Sequence, residues 1–306
     1  MLSGKEFLDL SSEEISQIII ESKRPKTGIF VPEGNRRLHL TQSQQVTFDD
    51  DFYHDSAHIT TSLFKKNLSV FFSHGLQTLL VPLINSNVFQ RNSKYQEITL
   101  IEGLKTIFVS EHWLDFYKRM NIRVRTYGNL DLFKTFNFPQ VIEWIRKAVE
   151  KTAENDSHTL YYGIDSPQQE CTEIIDLIIQ FYALHQRKPT PRELIRSFYG
   201  DDVPPADFFI MSTKISGFGA APPFIIDRRT QMYFLPGPGV KSLSDTTFRK
   251  ILYDLLFLRP PKNNSDYTTL DPSDLKYLKA FYEQNIDRVI GFGKKIGRFW
   301  VVDFDG

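Results

Sequence analysis

The chain has 306 residues, of which 41% are hydrophobic and 24% charged, and this composition predicts an ordinary soluble globular protein. Lys plus Arg and Asp plus Glu number 37 each, so the charge balance gives no reason to expect a nucleic-acid partner. The single cysteine, Cys171, excludes an internal disulfide, and we expect it to be buried in a protein of a reducing compartment. Because no apolar run reaches the length of a membrane span and the N-terminus lacks a signal-peptide core, the sequence predicts a cytoplasmic protein without membrane insertion.

The first predicted elements are a helix from residue 12, capped by Ser11 or Ser12, and then a strand. Residues 28–31, Gly-Ile-Phe-Val, are apolar and β-rich, which predicts a buried strand that Pro32 ends. A turn of small and polar residues follows the strand, and two arginines follow the turn directly. This strand and turn are the stretch around which we expect a functional site to be built.

The turn is the strongest functional signal in the chain. Gly34 permits a tight turn and a close approach of the backbone to a ligand. Amides and guanidinium groups both suit a phosphate oxyanion, and an acid at the strand end can hold a divalent cation beside it. The turn therefore predicts a diphosphate site with Mg²⁺, and an exposed basic turn is the alternative. The candidate residues are Glu33 for the metal, and Gly34, Asn35, Arg36 and Arg37 for the diphosphate.

Helices and strands alternate along the rest of the chain. Helices are predicted at residues 55–74, 94–109, 139–154, 168–185, 190–199 and 246–258, and strands at residues 77–83, 122–127, 159–162, 208–212 and 232–234. We expect the acidic run at residues 49–51 to be a solvated loop rather than a metal cluster. A last helix near residue 272 and a hairpin within residues 287–303 complete the prediction. The alternation predicts an α/β fold with a central, mostly parallel, six-stranded sheet flanked by helices.

Ligands of such sheets bind at the carboxyl ends of the strands. Four polar segments fall at these ends: residues 33–37, 85–91, 165–169 and 212–216. Their common position strengthens the prediction of a diphosphate site at the first of them. The chain has neither a Rossmann glycine motif nor a Walker A motif, so it gives no indication of a nucleotide site of those kinds.

These features resemble the cis-prenyltransferase family, which includes undecaprenyl diphosphate synthase. Members of that family end their first strand in Asp-Gly-Asn-Gly-Arg, where this chain has Glu-Gly-Asn-Arg-Arg at residues 33–37. The loop at residues 85–91 and the strand Arg-Val-Arg at residues 123–125 match in the same order. The resemblance implies an N-terminal helical segment at residues 1–26, a catalytic domain at residues 27–260 and a C-terminal extension of helix and hairpin at residues 261–306.

Further segments are similar to the diterpene-forming branch of that family, at residues 5–10, 189–193, 198–200, 246–259 and 287–293. The chain also departs from the chain-elongating members. Met211 stands where they have an arginine, Gln231 stands where they have a metal-binding glutamate, and Ser-Pro-Gln-Gln at residues 166–169 replaces a Gly-Gly-Arg loop. These departures leave little to hold a second diphosphate, so the resemblance predicts an enzyme that does not extend chains.

The resemblance implies a diterpene synthase that ionises an allylic, bicyclic diterpene diphosphate and captures the cation with water, giving an alcohol such as kolavelool. Two alternatives stay open: transfer of the cation to a nucleoside, and a non-catalytic partner subunit, against which the retained turn argues. A homodimer is also implied, with the helix at residues 246–259 and the C-terminal hairpin as its interface.

The resemblance further assigns roles to side chains outside the turn. Tyr53 is a candidate general base or cation-stabilising group, and Asn87, with Ser86, is a candidate to orient a water. The structural alternatives are a packed loop aromatic for Tyr53 and helix capping for the other two, and we expect His54 and His58 to be structural. The candidate catalytic residues are Glu33, Arg37, Tyr53 and Asn87; Arg91 joins the diphosphate site; Phe71, Phe72 and Phe89 line either a hydrocarbon pocket or the core.

Overall fold

The computed structural model describes residues 2–22, 26–41, 49–164, 170–212, 221–259 and 271–304. At its centre lies a six-stranded sheet in the order β3-β4-β2-β1-β5-β6, and every pairing in this sheet is parallel. The strands are β1 (Thr27–Val31), β2 (Thr78–Ile84), β3 (Ile122–Gly128), β4 (His158–Ile164), β5 (Phe208–Ser212) and β6 (Gln231–Leu235). The predicted α/β fold with a six-stranded parallel sheet is therefore confirmed.

Helices cover both faces of the sheet. The helices are α1 (Gly4–Asp9), α2 (Ser12–Glu21), α3 (Asn35–Leu40), α4 (Asp50–Ser73), α5 (Gly103–Val109), α6 (Glu111–Arg119), α7 (Leu132–Thr135), α8 (Gln140–Lys151), α9 (Glu170–His185), α10 (Pro191–Tyr199), α11 (Asp245–Tyr253) and α12 (Pro272–Asn285). Short 3₁₀ helices lie at Ser86–Gln90 and Gly239–Lys241, and π-helical stretches lie at Tyr95–Glu102 and Asp254–Leu258. The predicted C-terminal hairpin is present as β7 (Gly293–Ile296) paired with β8 (Phe299–Val302).

The pattern of burial in β1 shows how the sheet separates two cores. Successive side chains of a strand point to opposite faces. Phe30 accordingly packs in the larger core, together with α4, α5, α6 and α8, whereas Ile29 and Val31 pack in a smaller core with α10. Both neighbours of β1 belong to the same parallel sheet, so β1 is a central strand and its carboxyl end lies in the middle of the sheet edge.

Several local predictions differ from the structure. The N-terminal segment forms two helices rather than one, because Ser3 and Ser11 each form a capping box with a glutamate three residues later. The acidic run at residues 49–51 begins α4 instead of forming a loop. The Asp49 carboxylate accepts a hydrogen bond from the Phe52 amide, because carboxylates satisfy the unpaired amides at a helix N-terminus.

Three other predictions fall partly or wholly outside the described residues: the loops at residues 165–169 and 212–216, and the burial of the Cys171 side chain. The domain boundaries stay predictions. Within the part of the chain that the structure describes, no helix combines the length and the apolar character needed to cross a membrane.

The helix predicted to form a dimer interface is already covered within the chain. Phe7 of α1 packs against Tyr253 and Phe257, with ring centroids 5.6 Å apart in both pairs, and Phe248 is fully buried. In contrast, α12 and the residues after it expose large apolar side chains, among them Tyr277 and Ile290, which are 75% and 92% exposed. The exposed apolar side chains near the C-terminus therefore lie on α12 and the residues after it rather than on α11.

Candidate active site

A cavity of about 1010 Å³ lies at the carboxyl ends of β1 and β2, and α3 and α4 also contribute to its wall. This volume is at the upper end of the range of ordinary small-molecule pockets, roughly 300–1,000 Å³. The polar residues of the wall are Glu33, Asn35, Arg37, Tyr53, Ser56, Thr60, Thr61, Asn85, Arg91, Asn92, Tyr95 and Thr99; the apolar ones include Val31, Leu40, Phe52, Phe64, Leu83, Ile84, Val88, Ile107, Val240 and Phe299. The wall thus combines a group of charged and amide side chains with a larger apolar surface.

The turn between β1 and α3 is held in a single conformation. Gly34 has a φ of +84°, in the left-handed region that glycine adopts without steric cost. The Arg37 amide donates to the Gly34 carbonyl at 2.9 Å, and the Ser212 hydroxyl at the end of β5 donates to the Glu33 carbonyl at 3.0 Å. A neighbouring strand therefore fixes the turn that the sequence predicted to be functional, and the turn faces the cavity.

Asn35 has a bracing role at this turn. Its Nδ2 donates to the Pro32 carbonyl at 3.0 Å, and its Oδ1 accepts a hydrogen bond from the Val240 amide at 2.9 Å. A Cβ atom on Gly239 would come within 1.8 Å of that Oδ1, so glycine is needed there for the two segments to meet. The side chain that was predicted to bind diphosphate thus ties the turn to Gly239–Lys241, a segment that sequence reasoning missed.

The cationic groups of the wall come from α3 and from the loop after β2. Arg37 lines the cavity, and within the described part of the chain no carboxylate pairs with its guanidinium. The guanidinium of Arg91 lies over the ring of Tyr95, 4.4 Å from its centroid. The side chain of Arg36 lies outside the described residues. Arg37 is therefore the candidate whose positive charge is most available to an anion in the cavity.

Glu33 is the only carboxylate among the described residues of the cavity wall. The described residues contain no group of three or more His, Cys, Asp or Glu side chains that could hold a metal by themselves. Mg²⁺ bound with a diphosphate needs only one or two protein carboxylates, because phosphate and water oxygens fill its other positions. The donor set therefore fits Mg²⁺ that arrives with a diphosphate and does not form a metal site of its own.

Tyr53 lies on α4 with its side chain almost completely buried, 6% exposed, in the cavity wall. Its hydroxyl oxygen accepts a hydrogen bond from Asn92 Nδ2 at 3.1 Å, and its ring meets that of Phe52 edge to face at 5.4 Å. The Thr99 hydroxyl donates to the Tyr53 carbonyl at 3.1 Å. Asn92 was missed by sequence reasoning, although an asparagine at the start of a helical segment is a typical capping signal.

The cavity wall around Phe64 and Ile107 is backed by two buried, uncharged tyrosines. Phe64 in its wall lies 6.2 Å from the ring of Tyr162. The hydroxyls of Tyr162 and Tyr117 are 2.9 Å apart, and Tyr117 donates to the Ile107 carbonyl at 3.2 Å. Burial raises the pKa of both tyrosines well above its usual value, so both stay neutral.

Asn87 does not line the cavity, contrary to what a catalytic role requires. It lies on the 3₁₀ helix Ser86–Gln90 with its side chain exposed, whereas Asn85 and Val88 line the cavity. A 3₁₀ helix has three residues per turn, so positions three apart share a face and Asn87 lies on a different one. Ser86 is not part of the described cavity wall either.

Within the described residues, none of the three phenylalanines predicted for a hydrocarbon pocket lines the cavity. The three pack in the core instead: Phe71 against Phe30 at 5.3 Å, Phe72 against His158 at 4.8 Å and Phe89 stacked on Phe136 at 4.3 Å. The aromatic part of the wall comes from residues earlier on α4, Phe52 and Phe64. Later residues of that helix contact the first residues of strands instead, because Phe71 stacks on Phe208 of β5 and Phe72 lies against His158 of β4. His54 pairs with Glu102 at 2.7 Å on the surface, in keeping with the structural role expected for it.

Two known proteins are similar to the chain along nearly its whole length, although no family model matches it. It is 29% identical over 306 residues to the tuberculosinyl adenosine transferase of Mycobacterium tuberculosis, covering 99% of both chains. It is 25% identical over 298 residues to the (+)-kolavelool synthase of Herpetosiphon aurantiacus, covering 96% of this chain and 93% of that protein. Both matches agree with the branch that the sequence segments indicated.

Two solved structures share the fold. A probable undecaprenyl diphosphate synthase from Campylobacter jejuni superposes with a TM-score of 0.58 at 16% identity, covering 79% of this chain and 99% of that one. Lavandulyl diphosphate synthase from Lavandula x intermedia, in complex with dimethylallyl diphosphate, superposes with a TM-score of 0.57 at 13% identity, covering 78% and 98%. The resemblance is thereby confirmed: the chain has the cis-prenyltransferase fold and is an enzyme similar, along nearly its whole length, to a kolavelool synthase and a tuberculosinyl transferase.

Proposed function

We propose that this protein ionises an allylic, bicyclic diterpene diphosphate in the cavity beside β1. The observation that carries the proposal is the Arg37 guanidinium, which has no carboxylate partner among the described residues and lies beside the fixed turn at Gly34. The same cavity continues into an uncharged apolar region around Phe64. A diphosphate and a hydrocarbon chain joined in one substrate match these two environments.

In the proposed reaction the C–O bond to the diphosphate breaks, and both bonding electrons leave with the oxygen. Arg37 stabilises the negative charge that develops, and its forked donors strengthen their hydrogen bonds as that charge grows. Bound Mg²⁺, held by Glu33 together with the phosphate oxygens, would neutralise part of the same charge. The ring faces of Phe52, Phe64 and Tyr53 attract a cation, which suits them to stabilise the allylic cation left in the apolar part of the cavity.

Water then captures the cation at its tertiary carbon, and the resulting oxonium loses a proton to give a diterpene alcohol of the kolavelool type and free diphosphate. The similarity to a kolavelool synthase supports water as the acceptor. A non-catalytic partner role is disfavoured, because a subunit without chemistry has no need for a cavity that presents Glu33 and Arg37.

Transfer of the cation to a nucleoside nitrogen is the second candidate. The tuberculosinyl adenosine transferase has the higher identity of the two relatives, and this similarity supports a nucleoside acceptor. Incubation of the purified protein with linear and bicyclic prenyl diphosphates, each with and without adenosine, separates the candidates by mass spectrometry of the products. We expect a free alcohol from a bicyclic substrate in both conditions. A nucleoside adduct as the main product would favour the second candidate, and no turnover of any prenyl diphosphate would overturn both.

We also propose that the protein is a homodimer that uses the exposed apolar side chains of α12 and of the residues after it. Large exposed apolar surfaces are typical of interaction sites, and α12 and the residues after it expose several large apolar side chains. Light scattering at micromolar concentration should give twice the chain mass of 35.7 kDa. Replacing Tyr277 and Ile290 by serine should shift the protein to the monomer, and a wild-type protein that is already monomeric would contradict the proposal.

A further inference from the structure

The orientation of the Asn92 amide is fixed by its neighbours. Its Oδ1 lies 2.8 Å from the backbone nitrogen of Tyr95. A backbone N–H can only donate, so the atom facing it must be the amide oxygen. The Asn92 Nδ2, at 3.1 Å from the Tyr53 hydroxyl oxygen, is therefore the donor in that hydrogen bond.

This direction decides what the Tyr53 hydroxyl offers to the cavity. The oxygen accepts from Asn92, so the phenolic proton must point elsewhere. Among the described residues no acceptor receives this proton, and the side chain lines the cavity while being only 6% exposed. The hydroxyl is thus a buried donor directed at whatever the cavity binds. Accepting a hydrogen bond polarises an O–H group and makes it a stronger donor.

Both partners of this hydrogen bond are held by the backbone around them. The Asn92 carbonyl accepts a hydrogen bond from the Gln96 amide at 3.2 Å. Both oxygens of Asn92, the carbonyl and Oδ1, therefore accept from backbone amides of the helical segment that follows. The Tyr53 carbonyl accepts from the Thr99 hydroxyl, which ties the same segment to α4. Asn92 also follows Arg91 directly in the chain, and both residues line the cavity with Arg37.

We propose that Asn92 is a positioning residue that fixes the Tyr53 hydroxyl as a hydrogen-bond donor to the departing diphosphate, an inference that rests on the proposed function. As the C–O bond breaks, its electron pair stays on the diphosphate oxygen, and the hydrogen bond from Tyr53 strengthens without transfer of the proton. Tyr53 is then not the general base. The proton lost after water capture goes to the diphosphate or to solvent.

Four variants test the proposal. Tyr53→Phe removes the donor and keeps the ring. Asn92→Asp keeps an acceptor for the Tyr95 amide but turns the partner of Tyr53 from a donor into an acceptor, which reverses the hydrogen bond and withdraws the proton from the cavity. Asn92→Ala removes the orienting donor without adding charge. The double variant Tyr53→Phe/Asn92→Asp shows whether the two residues act through one proton. Thermal unfolding of each variant confirms that it is folded.

We expect Tyr53→Phe and Asn92→Asp to lower kcat by on the order of tenfold to a hundredfold, the usual effect of losing one hydrogen bond to a charged group, with little change in KM. The kcat of Asn92→Ala should fall between those of these two variants and the wild type. In this variant the Tyr53 hydroxyl is no longer held by Asn92 but still points to the diphosphate part of the time. In the Tyr53→Phe background, Asn92→Asp should cost no more than a further twofold. Near-normal kcat for Asn92→Asp would overturn the proposal, and so would a further tenfold loss in the double variant, which would instead indicate repulsion of the substrate by the new charge.

Binding of inorganic diphosphate in the presence of Mg²⁺, measured by calorimetry, separates this inference from the proposed function. If the wild type binds diphosphate and turns over a prenyl diphosphate while the Asn92 variants match it in both assays, only the role of Asn92 is refuted. If the wild type binds diphosphate but turns over no prenyl diphosphate, the proposed reaction is refuted, and weaker binding by Tyr53→Phe and Asn92→Asp still supports the donor. If the wild type neither binds diphosphate nor turns over a prenyl diphosphate, both the proposed function and the role of Asn92 are refuted.

Discussion

Replacing Arg37 by alanine removes from the cavity a guanidinium that no described carboxylate neutralises. Two unit charges about 4 Å apart interact by about 4 kcal/mol at the effective dielectric constant of ~20 that suits a partly open protein site. Ionisation of the substrate adds roughly one negative charge to the bridging oxygen and leaves the remaining phosphate charges unchanged. Only the interaction with this added charge lowers the barrier, so we expect Arg37→Ala to raise it by about 3 kcal/mol, or roughly 150-fold in rate.

The assay is steady-state release of diphosphate from the bicyclic substrate. The Arg37→Ala variant should lose much more in kcat than it gains in KM, because the added charge exists only in the transition state. Arg37→Lys should recover part of the rate, since an ammonium keeps the charge and loses the forked geometry. Arg146→Ala is the matched control: that arginine lies on α8, is 63% exposed and pairs with Glu143, so its removal should leave the rate unchanged.

If Arg37→Ala keeps more than half of the wild-type turnover, the diphosphate does not lie at the turn after β1. The assignment of Glu33 and Gly34 would then be lost together with that of Arg37. A loss confined to KM would mean that Arg37 binds the ground state and the transition state equally, and would contradict its proposed role in ionisation.

Three further predictions follow from individual contacts. Gly239→Ala should lower kcat at least tenfold and destabilise the protein, because the φ of +49° at this position costs other residues roughly 1–2 kcal/mol and a new Cβ would displace Asn35. Wild-type kinetics of this variant would contradict the bracing role of Asn35. Burial lowers the pKa of His74 and His158, so the unfolded chain binds more protons than the folded chain, and the midpoint of urea unfolding should fall as the pH drops below about 6.5. Equal midpoints at roughly one pH unit above and one below that value would contradict this expectation. With Met211 buried at the end of β5, labelled isopentenyl diphosphate should not enter longer products, and its incorporation would refute the prediction.

The sequence was sufficient to predict the elements that form by local rules. The strand at β1 is a short apolar run ended by Pro32, and the turn after it combines Gly34 with two arginines, so both could be recognised without a structure. The same local rules did not predict that α3 begins directly at Asn35. A helix of six residues has too few positions for an apolar period to be visible.

The roles of individual side chains could be predicted only where no distant contact decides them. The brace at Asn35 depends on Val240, which is 205 residues away in the chain. The hydrogen bond from Asn92 to Tyr53 likewise joins α4 to the segment before the π-helical stretch, and the sequence does not show that these two are close. Asn87 looked suitable by its chemistry, but the three-residue period of a short 3₁₀ helix turns it away from the cavity.

Isotopic labelling of the solvent tests whether the enzyme breaks the C–O bond of the substrate, as ionisation requires, rather than a P–O bond. The reaction is run in water enriched in ¹⁸O, and the alcohol and the released diphosphate are analysed by mass spectrometry. We expect one solvent oxygen in the alcohol and none in the diphosphate, because water attacks carbon. An unlabelled alcohol with solvent oxygen in the released diphosphate would show attack at phosphorus and would contradict ionisation in the cavity beside β1.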